Sequence, residues 1–125
     1  MTSPNEPATD HGPVRRFTDP AYKPQAKTLG DLRARIDSLD EKIVALLAER
    51  ALCGKAATRF KRDSCQVSAP ARQAQVFAKV RALAAPHEAS FEGLGDVVEA
   101  TYRTLVASFI AGEERFFHGT EIIEP

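Results

Sequence analysis

The chain lacks a long apolar run, so nothing in its 125 residues is suited to span a bilayer as a helix. It also lacks a charge excess. Lys+Arg and Asp+Glu stand at 17 each, which argues against a nucleic-acid or membrane-surface binder that depends on bulk charge. Any anion bound here must be held by a few focused cations. Cysteine is scarce: Cys53 and Cys65 match no zinc spacing, and the three histidines are scattered, so neither a metal nor any other cofactor is expected. No strand-like alternation, hairpin turn or internal repeat is present. No signal peptide is read either, because Arg15-Arg16 precedes Phe17, Thr18, Asp19 and Pro20 rather than an apolar segment. The expected setting is soluble, reducing and cytoplasmic.

Proline is unevenly spread, and its distribution divides the chain. Residues 1–27 hold five of the eight prolines with almost no periodic apolar pattern, which reads as a disordered or loosely docked tail. From Gln25 through Ala69 there is no proline at all. In that window Leu29, Leu32, Ile36, Leu39, Ile43 and Leu46 follow the three-four spacing of one helix face. Thr28 and Asp31 stand in a capping-box-like spacing at its start. The pattern predicts a helix from Leu29 to Phe60 or Lys61, roughly 45 Å long. A helix of that length belongs to a coiled coil or an interlocked oligomer rather than to one compact partner. Gly54 is a mild weak point within it.

Arg62 to Val67 breaks the period and reads as a loop. A second helix is predicted from about Ser68, with Pro70 in its first turn, where a missing amide costs nothing. It turns Ala74, Phe77, Val80 and Ala84 inward and stops near Pro86. A third helix carries Val98, Tyr102, Leu105, Phe109 and Phe116 at helical spacing and ends near His118-Gly119. The fold class is therefore all-α, with a helical domain over 28–119 and a short tail over 120–125.

Two charges interrupt the apolar faces. Arg50 takes the next slot on the first stripe, followed by Cys53, Ala57 and Phe60, with Cys53 read as a small core residue. A guanidinium cannot shed its proton, so burying it demands an anion, and no acid on the same stripe can serve. Either Arg50 snorkels to water or the anion comes from outside the helix. On the third helix the stripe continues to Glu113, flanked by Phe109, Ile110, Phe116 and Phe117. Desolvation there raises a carboxyl pKa and leaves a hydrogen-bond donor, unless Glu113 reaches solvent or pairs with Arg115 or Arg103. Lys61 lies eleven residues after Arg50, close to three turns, so both project from nearly one face. Arg33 lies seventeen residues before Arg50, roughly 25 Å along the axis, too far to share a small ligand within one chain. Antiparallel pairing of two long helices would bring Arg33 of one copy to Arg50 of the other, making two equivalent sites.

These residues carry a resemblance. Asp31-Leu32-Arg33 through Ile36-Asp37, Leu39-Asp40, Ile43 to Leu47, Arg50, and Lys55-Ala56-Ala57-Thr58-Arg59-Phe60-Lys61 are similar to the all-helical chorismate mutase family. The Lys55–Lys61 run and the following loop look most like its isochorismate pyruvate-lyase branch, whose members make salicylate. The resemblance covers residues 29 to about 117. It implies an interlocked antiparallel homodimer of three-helix protomers, each site using Arg33 from the partner chain. It further implies that Arg33 and Arg50 clamp two substrate carboxylates, that Val67 belongs to the substrate-binding set, and that Lys61 and Glu113 hydrogen-bond the ether oxygen. Position 113 is often glutamine in relatives. Pro70-Ala71 stands where typical mutases carry an Arg-Glu pair whose glutamate binds the ring hydroxyl. Chorismate, isochorismate and the 4-amino analogue therefore remain open as substrates. Chorismate mutase is the expected activity, with the lyase and a non-catalytic metabolite-sensing dimer as alternatives.

Overall fold

The computed structural model describes residues 5–119. Among them all regular structure is helical: α1 (Leu29–Ala57), a 3-10 turn (Thr58–Phe60), α2 (Ser64–Ser68), α3 (Pro70–Ala84), a second 3-10 turn (Ala85–His87) and α4 (Leu94–His118). The three anticipated helices are α1, α3 and α4. The tail expected over 120–125, and the first four residues of the N-terminal tail, lie outside the described residues. Among the described residues no helix is long and apolar enough to cross a membrane. The chain divides into two compact units, one ending at Leu47 and the other beginning at Ala48.

In the first unit the Pro-rich segment has no regular structure and meets the start of α1. Thr28 Oγ1 accepts from the Asp31 amide at 3.1 Å, the N-cap bond that the Thr-Asp spacing predicts. The Gly30 amide donates to the Thr9 carbonyl at 2.8 Å. A Cβ at Gly30 would stand 3.0 Å from that carbonyl oxygen, tighter than ordinary contact, so a side chain there would require the segment to give by a few tenths of an ångström. Phe17 and Tyr22 meet edge to face at 4.9 Å.

The second unit is built on α3 against α4, with α2 and the first 3-10 turn also packed on α4. Its buried apolar residues are Val67, Val80, Ala84 and Val106. Phe77 is half-buried, with the Arg103 guanidinium 4.5 Å above its ring. Ala74 is exposed, contrary to expectation; Gln73 and Val76 turn inward at that level of α3 instead. Arg81 on α3 bonds Asp96 and Glu99 on α4, and Glu99 also accepts from Arg103 at 3.0 Å. The two guanidinium groups hold the Glu99 carboxyl below the usual carboxylate range.

The element ends differ from the sequence reading for local reasons. The α-helical pattern stops at Ala57 and tightens to a 3-10 turn, where Thr58 Oγ1 donates to the Lys55 carbonyl at 2.6 Å. The expected loop at 62–67 contains the one-turn α2, begun by Asp63, whose side chain accepts from the Gln66 amide at 2.9 Å. Five residues are too few to display a helical period. Ala69 separates α2 from Pro70 in a left-handed conformation (φ 46°), the one positive-φ residue other than glycine among those described. At the other end, α4 starts at Leu94 because the Glu88 carboxylate accepts from the amides of Gly93 (2.6 Å) and Gly95 (3.0 Å).

Candidate active site

The functional side chains are positioned from four directions within the second unit. Arg50 leaves the C-terminal half of α1, Lys61 follows the 3-10 turn, Val67 comes from α2, and Glu113 from the last third of α4. All four line one cavity of about 310 Å³, at the small end of ligand-pocket volumes. Arg33 does not line it. It lies in the first unit, half-exposed, with the Glu6 carboxylate 4.0 Å away.

Arg50 is half-buried and lies against the aromatic face of α4, its guanidinium carbon 5.8 Å from the Tyr102 ring centre and 5.7 Å from that of Phe109. Both distances are within cation–π range. The rings fix the side chain without neutralising it, so its N–H donors remain available for an anion. Lys61 is held differently: its Nζ donates to the Gln66 carbonyl at 2.8 Å, while Gln66 Oε1 accepts from the Arg62 amide at 2.6 Å. The loop after the 3-10 turn thereby aims the ammonium. Val67 is 3% exposed and its amide already donates to the Asp63 carbonyl, so it enters the cavity as apolar wall.

Glu113 is half-buried, and its carboxyl pKa is raised. Loss of hydration is the larger cause; attraction to Lys61 and then Arg50 pulls the other way. Neither basic partner considered from sequence reaches it. Arg103 pairs with Glu99, and Arg115 turns back to the Ala111 carbonyl. Among the described residues no ion pair neutralises Arg50, Lys61 or Glu113.

Among the lining residues that escaped the sequence reading, two lie on the first turn of α3 and carry long polar side chains. Arg72 and Gln73 border the cavity from the first turn of α3, whereas Pro70 and Ala71 do not. A basic residue followed by an amide therefore occupies the place where Pro70-Ala71 was aligned, two positions further along. Gln73 Nε2 donates to the Ser68 carbonyl at 2.7 Å. A carbonyl can only accept, so that bond fixes the amide and leaves Gln73 Oε1 as an acceptor. The usable signal was Pro70 at the first helical position, which assigns Arg72 and Gln73 to the first turn. Cys53 also lines the cavity and is exposed, not part of a core, as α1 buries none of its residues in this chain.

Three cations (Arg50, Lys61 and Arg72) and one carboxyl (Glu113) border this small cavity of a helical protein, a lining whose charge suits a compact anion. A sequence model of the chorismate mutase type II family matches residues 32–114, about two thirds of the chain, and the chain belongs to that family. Its activity is that of an isomerase acting on chorismate. Comparison with curated proteins and with solved structures gives no match.

Proposed function

We propose that the Arg50–Lys61–Glu113 cavity is where chorismate rearranges to prephenate. In this reading Arg50 and Arg33 from a second copy hold the two carboxylates, and Lys61 and Glu113 donate to the ether oxygen. The carrying observation is the convergence of two unpaired cations and a half-buried carboxyl of raised pKa on one cavity. The rearrangement is intramolecular: the ether C–O bond breaks, a C–C bond forms, and no atom is gained or lost. It asks for no nucleophile, metal or cofactor. The protein can hold the reactive diaxial conformer, which is catalysis by orientation. It can also set donors where negative charge develops, on the departing oxygen. Guanidinium groups grip carboxylates through two parallel bonds, which an ammonium does not reproduce. Glu113 serves in its protonated form, as a donor, and Lys61 donates from the other side.

A homodimer with shared sites is part of the proposal. Four support points come from α1, which buries no residue: Ile36, Leu39, Ile43 and Leu46 remain 53%, 46%, 51% and 62% exposed. A protomer whose buried apolar set, among the described residues, is three valines and an alanine has too small a core for its length. Antiparallel pairing along α1 would cover that stripe and bring Arg33 of the second copy to the cavity as a further cation. The cytoplasm is the proposed setting, supported by two free, exposed cysteines.

The deciding experiment incubates the protein separately with chorismate and isochorismate and identifies the products. Prephenate from chorismate is expected. Salicylate with pyruvate from isochorismate would add the lyase activity to which the Lys55–Lys61 run is similar. Saturable binding of chorismate without turnover would end the catalytic reading of this cavity.

A further inference from the structure

We infer that Gly54 is a positioning residue, its missing side chain being what lets the Glu113 carboxyl lie against α1. The inference rests on the proposed role of Glu113 and deepens it. A Cβ placed on Gly54 would stand 2.7 Å from Glu113 Oε2, 3.0 Å from Cδ and 3.5 Å from Oε1. The three nearest atoms all belong to that one carboxyl, and none to the α4 backbone. Helix packing is therefore not what requires the glycine. Conformational freedom does not require it either, since Gly93 is the one described glycine with positive φ, and Gly54 sits inside a continuous helix. In a helix interior glycine is a poorer choice than alanine. What remains is the close approach of a catalytic side chain to bare backbone.

An alanine at 54 would have to push the carboxyl back by roughly 0.7 Å to reach ordinary contact. The displaced atoms are the end of a flexible side chain, so the fold survives and the geometry does not. Lys61 from the loop and Arg50 from α1 are the charges that act on the carboxyl, and Arg72 from α3 and the Cys53 thiol from α1 share the cavity lining with it. Moving off the helix exposes the carboxyl to water or brings it nearer those cations. Both changes favour its ionised form.

The test is Gly54→Ala in the full chain, alone and combined with Glu113→Ala, each followed by thermal unfolding and by kcat and KM for chorismate across pH. Gly54→Ala should unfold at the same or a higher temperature while kcat falls about 10- to 100-fold, because sub-ångström misplacement of a reacting group costs rate. KM should change far less, and the alkaline decline in activity should move to lower pH. In the Glu113→Ala background the same substitution should cost nothing further. Full activity of Gly54→Ala, or an equal loss in both backgrounds, overturns the inference. If Gly54→Ala loses its fold, recovery on adding Glu113→Ala supports the contact, and no recovery overturns it. Should the parent protein fail to turn over chorismate, the function falls but the contact is still decided. The Glu113 carboxyl titration, followed by NMR, must then shift to lower pH in Gly54→Ala, and an unchanged titration refutes the contact.

Discussion

Ile43→Asp tests the proposed pairing at its centre. Ile43 is half-exposed within the protomer, on the stripe that a second copy would cover. Fully burying an isoleucine side chain contributes about 1.5–3 kcal/mol, so covering the remaining half contributes about 1 kcal/mol per copy. Two-fold symmetry uses the residue twice, giving about 2 kcal/mol for the dimer from this position alone. Placing a carboxylate in that seam adds the cost of stripping its water. Losses of this size weaken the dimer by at least about 30-fold, at one decade per 1.4 kcal/mol. Sedimentation over a concentration series measures the shift, and activity measured over the same series should follow the dimer fraction. A wild-type protein that is an active monomer at every concentration would falsify the shared-site arrangement. So would an Ile43→Asp protein that dissociates and keeps its full specific activity.

Four further outcomes can be measured on the cavity and its proposed partner residue. Activity should fall as pH rises through the raised Glu113 pKa, and Glu113→Gln should flatten that dependence; a flat wild-type profile from acidic to mildly basic pH removes the protonated role. The same shift has a sign for stability: a carboxyl whose pKa is raised on folding favours the fold at low pH and opposes it once ionised. Glu113→Gln should therefore raise the unfolding temperature above that pKa and change it little below, which differential scanning calorimetry can follow. Arg50→Ala should lose at least ~10²-fold in kcat/KM by removing a carboxylate-binding charge, and retention within a few-fold would place the substrate elsewhere. Arg33→Ala and Arg50→Ala chains, each inactive alone, should regain activity when mixed and exchanged, since a heterodimer restores one intact site. Absence of recovery in verified heterodimers excludes a contribution across the interface.

Much of this was legible in the residues because it depends on period. The α1 stripe, the inward turn of Val80 and Ala84, and the appearance of Arg50 and Glu113 on apolar faces all follow from 3.6-residue spacing. Features that depend on other elements were hidden. A five-residue helix at Ser64 carries no period, so the Asp63 cap was the sole trace of it. Arg72 and Gln73 look like surface residues until the reversal at Ala69 turns the first turn of α3 toward the cavity. Gly54 reads as a flaw in a helix, and its purpose lies 59 positions away, at Glu113. Cys53 was misjudged because an apolar position that lines an open cavity looks, in one sequence, the same as one that faces a core.

The unneutralised cations of the cavity bear on what happens after turnover. Arg50, Lys61 and Arg72 line one cavity with a single carboxyl among them, an excess of positive charge that a compact dianion would offset. Prephenate retains both carboxylates of chorismate, and guanidinium groups holding them as proposed would grip both molecules alike. On the proposed recognition, product inhibition is built in, and sustained flux would depend on whatever next consumes prephenate.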